Sequence, residues 1–496
     1  MYAILPQAQH EYNKKKNLVL VYFFLVKNLV LVYYLSIKNL VLGRNTVKRK
    51  IYEALLEWKN NSQGKSAVMI DGARRTGKSF IAEEFAKHEY KSYILIDFYK
   101  APDEIKDIFK NSLNDLDSLF VYLSTYYGKQ LFPRETLFVF DEVQFCPAAR
   151  AAIKYLVQDG RYDILETGSL VSIHKNVKDI LIPSEEEHIR MNPMDFEEFL
   201  WALGDETLFP YIKKMFELKK PMGDALHRKA MSLFRQYLIV GGMPQAVEKY
   251  VQSKDFAQVD KIKRNIIELY KGDIAKHANG QGVKVRRVFD YLPSELSLRE
   301  KRIKLSDLDE GSRSRDYEDA FSWLIEARIV NPCFNTTEPN IGLRMKLDRE
   351  MPKLYLGDTG LLISLAFDES GLASQEIYKK LMFDKLEVNE GMFFENIVAQ
   401  MLVATNHQLY FYSNNDRNNC ELRMEVDFLV AKSKITSRHN VSPIEVKSTK
   451  NYTLNSLLKY KKHFDQYTDK AYVIHTLDLA EKDEVIYLPV YMTPLL

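Results

Sequence analysis

The sequence predicts an α/β protein, built on a parallel sheet that helices cover on both faces. Segments rich in apolar residues alternate with segments of helical periodicity, at residues 67–71, 92–97, 137–140 and 163–166. Strands that are apolar throughout, rather than at every second residue, are typical of parallel sheets buried on both sides. Strands separated by helices also favour crossover connections. We therefore expect such a sheet in a domain spanning residues 47–200.

A glycine-bounded loop joins the first of these strands to the next helix. Its sequence, Gly-Ala-Arg-Arg-Thr-Gly-Lys-Ser, fits the phosphate-binding pattern G-x-x-x-x-G-K-[ST]. The glycines let the backbone close around phosphate oxygens, and the helix presents its N-terminus to the anion. Lys78 would reach the β- and γ-phosphates, and Ser79 would offer a hydroxyl to Mg²⁺. A chance Gly-Lys turn is the alternative, which the flanking strand and helix disfavour. The predicted ATP-binding residues of this P-loop are Gly72, Ala73, Arg74, Arg75, Thr76, Gly77, Lys78 and Ser79.

Two further strands end in residues suited to ATP hydrolysis. The run Leu-Phe-Val-Phe ends in Asp141 and Glu142, the pattern of a Walker B strand. We expect Asp141 to hold Mg²⁺ together with Ser79, and Glu142 to polarise the attacking water. The strand at 163–166 leads into Thr-Gly-Ser, where we place Ser169 as a γ-phosphate contact. Taken alone, such a tripeptide is more often a strand-terminating turn.

Composition restricts the function only weakly. There are 70 Lys and Arg residues against 67 Asp and Glu, a net charge of +3, so any basic surface for nucleic acid must be local. The three cysteines, Cys146, Cys333 and Cys420, are far apart and predict neither a disulfide framework nor a zinc site. This cysteine usage suits a reducing compartment, so we expect a cytoplasmic protein.

The first 46 residues contain an apolar unit repeated at 11-residue intervals, with copies beginning at Lys16, Lys27 and Lys38. Lys27 and Lys38 divide the apolar run into pieces shorter than the roughly 20 residues that a transmembrane helix needs. We expect this segment to be extraneous or disordered and to give no stable membrane association. Aggregation or weak membrane insertion is the alternative.

Helical patterns dominate the middle of the chain. Residues 201–280 are predicted to form a helical lid, which includes the turn Gly-Gly-Met-Pro ending at Pro244. Residues 281–360 predict a winged-helix-like module, with a short second helix at 305–308, a third helix at 316–328 and a β-wing after it. The third helix would face a DNA groove with Arg313, Arg315 and Arg328. Four carboxylates in the same segment leave a protein-contact module as the alternative.

The C-terminal residues 361–496 predict a second α/β domain with its own polar group. Glu445 and Lys447 are two apart on a strand and therefore share a face, where Asp427 of a neighbouring strand can join them. Two carboxylates can hold a divalent metal while a lysine orients water, as phosphodiester hydrolysis requires. A surface Glu-Lys ion pair is the alternative.

From about residue 47 to its end, the chain resembles a prokaryotic AAA+-like P-loop ATPase family with a C-terminal domain similar to PD-(D/E)XK nucleases. Besides the P-loop, the segments that carry the resemblance are Phe140-Asp-Glu, Thr167-Gly-Ser, Gly241-Gly-Met-Pro, Tyr355-Leu-Gly-Asp-Thr-Gly, Phe394-Glu-Asn, Val426-Asp-Phe and Ile444-Glu-Val-Lys-Ser. The resemblance implies an ATP and Mg²⁺ site at Lys78, Ser79, Asp141 and Glu142. It also implies a nuclease-like core at Asp427, Glu445 and Lys447, with Glu395 as a fourth member. Because that fold also occurs as a binding module, cleavage stays open.

Together these features predict an ATPase that couples its nucleotide state to DNA binding or processing. The alternative is an ATP-dependent switch or scaffold for protein partners, with a catalytically silent nuclease-like fold. An arginine that stabilises the transition state is expected in cis or from a neighbouring copy. Its candidates are Arg74, Arg75, Arg161 and Arg190. Whether the protein forms a homo-oligomer stays open as well.

Overall fold

A computed structural model describes residues 48–496, apart from residues 112, 169–184, 279, 299–315, 341, 368–374, 383–389, 417–418, 432–438 and 450. The 11-residue repeats, Ser169, the predicted helix at 305–308, Arg313 and Arg315 lie outside the described residues. None of the described helices is both long and apolar enough to cross a membrane.

The first half of the described chain alternates strands and helices before it becomes helical. Its elements are α1 (Ile51–Ser62), β1 (Ala67–Asp71), α2 (Lys78–Glu89), β2 (Ser92–Asp97), α3 (Asp103–Asn111), α4 (Leu116–Tyr127), β3 (Thr136–Asp141), α5 (Pro147–Asp159), β4 (Asp163–Gly168), β5 (Glu186–Arg190), α6 (Phe196–Ala202), α7 (Leu208–Glu217), α8 (Asp224–Val240), α9 (Pro244–Ser253) and α10 (Phe256–His277).

The second half returns to mixed helices and strands. Its elements are α11 (Gly282–Ser297), α12 (Glu318–Glu326), β6 (Val330–Thr336), β7 (Leu347–Leu356), α13 (Thr359–Ala366), α14 (Gln375–Met382), α15 (Glu390–Ala404), β8 (Leu409–Asn414), β9 (Met424–Ala431), β10 (Val441–Val446), α16 (Asn455–His463), β11 (Ala471–His475), β12 (Ala480–Lys482) and β13 (Val485–Pro489).

The first sheet has five strands in the order β2-β3-β4-β1-β5, and every neighbouring pair is parallel. One face of the sheet packs its apolar side chains against α3, α4 and α5, and the other face packs against α1 and α2. The predicted parallel sheet, covered on both faces, is therefore confirmed. Its carboxyl edge brings together the ends of β1, β3 and β4, where such sheets bind ligands.

The second sheet has eight strands in the order β12-β13-β11-β10-β9-β8-β6-β7. The pair β6 and β7, predicted as the wing of a separate module, is antiparallel as expected, but β6 also pairs in parallel with β8. The second sheet therefore crosses the predicted boundary at residue 360. The physical reason is that the open edge of a hairpin carries unpaired backbone groups, and β8 satisfies them here.

Two of the glycine motifs meet each other. Asp358, which caps the N-terminus of α13, accepts hydrogen bonds from Gly242 N at 2.6 Å and Leu361 N at 2.9 Å. A Cβ on Gly360 would lie 2.5 Å from the carbonyl oxygen of Val240. Gly241 has φ +80°. These glycines therefore serve the packing of α8 against α13.

We expect Gly360→Ala to lower the free energy of unfolding by about 1–3 kcal/mol, because a methyl group at this contact forces a backbone shift. Gly272→Ala is the matched control, since Gly272 lies within α10 and a Cβ there would meet nothing within 4 Å. That substitution should stabilise the protein by about 0.5–1 kcal/mol. Urea unfolding of both variants measures the difference, and equal midpoints would contradict the proposed contact.

Candidate functional site

Three predicted elements meet at the carboxyl edge of the parallel sheet. The Ser79 hydroxyl, at the start of α2, donates to Asp141 Oδ1 at the end of β3 over 2.7 Å. The Thr167 hydroxyl of β4 donates to the same oxygen and accepts from the backbone N–H of Glu142 at 3.3 Å. Carboxylate and hydroxyl oxygens are ligands suited to Mg²⁺, so Ser79 and Asp141 fit that ion. Thr167 belongs to the Thr-Gly-Ser motif, in which the sequence predicted Ser169 as the γ-phosphate contact.

Lys78 is buried and points back into its own loop. Its ammonium donates to the carbonyl oxygens of Gly72 at 2.9 Å and Ala73 at 3.0 Å. Burial lowers the pKa of Lys78, while the carboxylates of Glu142, Asp141 and Asp71 act in the opposite direction. A phosphate would offer this ammonium a charged acceptor in place of two neutral carbonyls, which makes a stronger hydrogen bond.

The shape of the P-loop depends on glycine at two positions for different reasons. Gly77 has φ +97°, which L side chains rarely adopt, whereas a Cβ on Gly72 would lie 2.3 Å from the carbonyl oxygen of Met191. Arg49 fastens the loop from outside, donating from Nη1 to the Thr76 carbonyl at 2.9 Å and from Nε to Glu198 at 3.1 Å. Sequence reasoning missed Arg49, because no local pattern links it to the loop.

Glu142 lies beside Asp141 with a left-handed backbone, at φ 53°. The amide of Gln144 donates to its carboxylate. Glu142 and Gln144 line a cleft of about 390 Å³, which Lys78 and Asp141 also line. This volume is within the range of small-molecule sites.

The side of the cleft opposite the P-loop is formed by two helices that follow the parallel-sheet domain in the chain. Tyr270, Asp273 and Lys276 line it from α10, and Trp323 lines it from α12. Arg74 forms an ion pair with Asp273, and the Tyr270 hydroxyl donates to the Arg74 carbonyl at 3.0 Å. The cleft is therefore enclosed between the P-loop and these two helices.

The arginine candidates lie in different places. Arg74 lines the cleft, and Arg75 is exposed in the loop with φ 71°. Arg161 pairs with Asp159 at 2.7 Å and Asp117 at 2.6 Å, just before β4, so it lies at the opposite edge of the sheet. Arg190 ends β5 and donates to Asn331 at 3.2 Å. Within one chain, Arg74 is therefore the candidate that the fold brings to the cleft.

The predicted groove-facing helix is oriented differently from the expectation. Trp323 and Ala327 line the cleft, and Arg328 donates from Nε and Nη2 to Asp71 Oδ2 at 3.1 and 3.0 Å. Asp71 is only 3% exposed at the end of β1, and a buried carboxylate needs such a cation. Arg328, which the sequence predicts to face a DNA groove, therefore contacts the start of the P-loop in this structure.

The second sheet brings together the three C-terminal residues singled out in the sequence. The register of β9 and β10 puts Ile444 opposite Phe428, and Asp427 Oδ2 accepts from the backbone N–H of Val446 at 2.8 Å. The Lys447 ammonium donates to Glu445 Oε1 at 2.6 Å, while Oε2 of Glu445 is buried without a partner. Burial, followed by the charge of Asp427, raises the pKa of Glu445 to about 8.

Glu395 of α15 has partners of its own from β7. It accepts from the Tyr355 hydroxyl at 2.6 Å and lies 3.9 Å from the ammonium of Lys353. Lys353 also contacts Glu425 at 2.7 Å, and its side chain is 1% exposed. Within the described ranges, no group of three or more His, Cys, Asp or Glu residues is arranged to hold a metal ion. Asp427 and Glu445 alone supply two carboxylates.

Comparison with known proteins divides the chain into three segments. Residues 64–200 match a family model described as an AAA domain. Residues 231–375 and 390–492 match two models that are each described as a domain of unknown function, DUF8612 and DUF4143. No curated protein matches the chain.

Several solved structures align with most of the chain at low identity. A Walker-type ATPase of Pyrococcus abyssi covers 64% of this chain and 96% of its own, at 15% identity and a TM-score of 0.40. Cdc6p from Pyrobaculum aerophilum covers 70% and 96%, at 12% identity and a TM-score of 0.24. The Aeropyrum pernix ORC1 protein, solved in complex with DNA, covers 65% and 92%, at 12% identity and a TM-score of 0.23.

At such TM-scores these likenesses carry no functional argument. The AAA domain match and the P-loop with its strand-end carboxylates define the class instead. Residues 64–200 therefore form a domain of the AAA type that carries a P-loop.

Proposed function

We propose that this protein binds ATP with Mg²⁺ in the cleft at the carboxyl edge of its parallel sheet and hydrolyses the γ-phosphate. The observation that carries the proposal is the convergence of Lys78, Ser79, Asp141 and Glu142 on one cleft. Ser79 and Asp141 would hold the ion, which polarises the phosphoryl oxygens when bound. Lys78 and the loop amides bind the phosphates, and Glu142 accepts the proton of the attacking water.

The ATP cycle acts on the C-terminal sheet in this proposal. Helix α12 lines the cleft and also packs against β6, while α10 packs against α13 next to that sheet. Closing the cleft on ATP would therefore move helices that pack against the second sheet. This makes the protein an ATP-driven switch, whose C-terminal domain presents the result to a partner.

Steady-state ATP hydrolysis by the full chain, with and without double-stranded DNA, tests the proposal. We expect hydrolysis by the wild type and none by Lys78→Ala, because that variant lacks the cation for the β- and γ-phosphates. Equal rates in both proteins would refute the site. A rate indifferent to DNA favours a protein partner, and stimulation by DNA favours the second function below.

A second candidate function is metal-dependent cleavage of nucleic acid by a nuclease-like C-terminal domain. The specific observation in its favour is that Asp427, Glu445 and Lys447 meet on adjacent strands, with Glu445 Oε2 buried and unpartnered. Asp427 and Glu445 would hold the divalent ion, and Lys447 would orient the attacking water. The partner in this case is DNA.

If this domain cleaves DNA, the wild type should nick supercoiled plasmid with Mn²⁺ or Mg²⁺, and both Asp427→Ala and Glu445→Ala should lose the activity. The reason is that each variant removes one of the two carboxylates available to the ion. Asp465→Ala, a change between α16 and β11, is the matched control and should nick normally. Nicking at the wild-type rate by both site variants would contradict the nuclease assignment. So would the absence of nicking by the wild type.

A further inference from the structure

Two arginines and one carboxylate meet at the residue that precedes the P-loop. Asp71 ends β1, and it is in register with Arg190 at the end of β5. Arg328 reaches the same point from the chain between α12 and β6, with both of its contacts on Asp71 Oδ2. Arg190 takes a neutral partner, Asn331 Oδ1, at 3.2 Å. Two cations therefore meet one anion at this point, while Asp195, which lines the same small cavity, is paired with Lys50 at 2.6 Å.

The excess positive charge lies against the phosphate-binding loop. Ala73 of the P-loop lines the same small cavity as Arg190 and Arg328. Burial, followed by the charge of Arg328, lowers the pKa of Arg190 to about 10, with Asp71 acting in the opposite direction. Arg190 is half-buried, and a charge held away from water without a counter-ion is costly. A phosphate on the adjacent loop would offset this charge.

The backbone around Arg328 touches both the ATP cleft and the second sheet. Ala327 and Ile329, its two neighbours, line the cleft together with Lys78. The Ile329 carbonyl accepts from Gly357 N at 2.7 Å, just after β7 ends, and β6 begins at the next residue, Val330. Arg328 itself has a left-handed φ of 58°. One short segment thus links the P-loop, the cleft and the β6–β7 hairpin.

We propose that Arg328 is a positioning residue of the ATPase, which couples the P-loop to the second sheet. Its ion pair with Asp71 fixes the start of the loop against β6, so that ATP binding at Lys78 changes the packing of β6. The proposal rests on the proposed ATPase function. It assigns Arg328 to the nucleotide site rather than to a DNA groove.

Kinetics of Arg328→Gln provide the first test. We expect kcat to fall by about 10- to 100-fold, as a misplaced reacting group does, while KM changes much less. Asp71→Asn should lower kcat by a similar factor. The double variant should have a kcat no lower than that of the slower single variant. Arg328→Lys should recover part of kcat, since it restores the charge with a single contact. Arg344→Gln, an exposed arginine after β6, is the control and should behave as wild type.

Hydrogen exchange with a non-hydrolysable ATP analogue provides the second test. In the wild type, the analogue should slow exchange of the backbone amides in residues 330–336, and in Arg328→Gln it should bind without this effect. An unchanged kcat in Arg328→Gln, or the same protection of β6 in both proteins, would overturn the proposal. If the wild type binds the analogue but shows no turnover, the hydrolysis proposal fails, and the exchange experiment still decides the role of Arg328.

Discussion

The Glu142→Gln variant is expected to bind ATP as the wild type does and to hydrolyse it about 10²–10⁴-fold more slowly, the usual effect of losing a general base. Glutamine has nearly the same shape, so the left-handed backbone at this position and the bond from Glu142 N to Thr167 are retained. It cannot accept the proton of the attacking water. Binding is measured by equilibrium titration with a fluorescent ATP analogue, and the chemical step by single-turnover hydrolysis.

Glu83→Gln is the control for this substitution, because Glu83 is a surface residue of α2 paired with Lys87 at 2.8 Å. It should bind and hydrolyse ATP normally. Normal turnover by Glu142→Gln would move the catalytic base elsewhere, and Asp97, which lines the same cleft, would be the next residue to change. Loss of ATP binding would instead assign Glu142 a role in shaping the site.

The parallel sheet was predictable because β1, β3 and β4 bury every residue, and burial on both faces leaves a continuous apolar run. Strand β5 was not predicted. Its sequence Glu-Glu-His-Ile-Arg has one apolar residue, Ile189, and its residues are half-buried or exposed as a whole, although the Glu186 carboxylate is buried against Arg150. An edge strand needs only one side of backbone pairing, so its sequence carries little of the buried-strand pattern.

The candidate site divides in the same way. Lys78, Ser79 and Asp141 were predicted because they occupy fixed positions of short motifs at strand ends. Arg49 and Arg328 were not, because each reaches the P-loop from outside any short motif: Arg49 lies 27 positions from Thr76, and Arg328 lies 257 positions from Asp71. A local pattern contains no information on which distant cation neutralises a buried carboxylate.

The predicted winged helix shows how far a local pattern reaches. A hairpin at β6 and β7 was correctly expected from two strand-like runs, but the hairpin alone does not say which sheet its open edge joins. The parallel pairing of β6 with β8 is a tertiary contact between residues such as Cys333 and Leu409. For the same reason Lys353, whose ammonium lies among the carboxylates of α15 and β9, was not singled out from the sequence.

Lys353→Met is expected to lower the free energy of unfolding by about 3–5 kcal/mol, the usual cost of removing one partner from a buried ion pair. The Lys353 ammonium lies 2.7 Å from Glu425 and 3.9 Å from Glu395, and methionine keeps most of the side-chain volume without the charge. Glu395, itself 3% exposed, would then face Glu425 without a cation between them. Chemical denaturation monitored by circular dichroism measures the loss.

A surface lysine shows how much of this loss is due to burial. Lys346→Met removes a cation that is 55% exposed and 3.7 Å from Glu338, so it should change stability by at most about 1 kcal/mol. Adding Glu425→Gln to Lys353→Met should recover part of the loss, since it removes the carboxylate that the first change leaves unpaired. Two lysine variants of equal stability would mean that Lys353 does not neutralise this cluster.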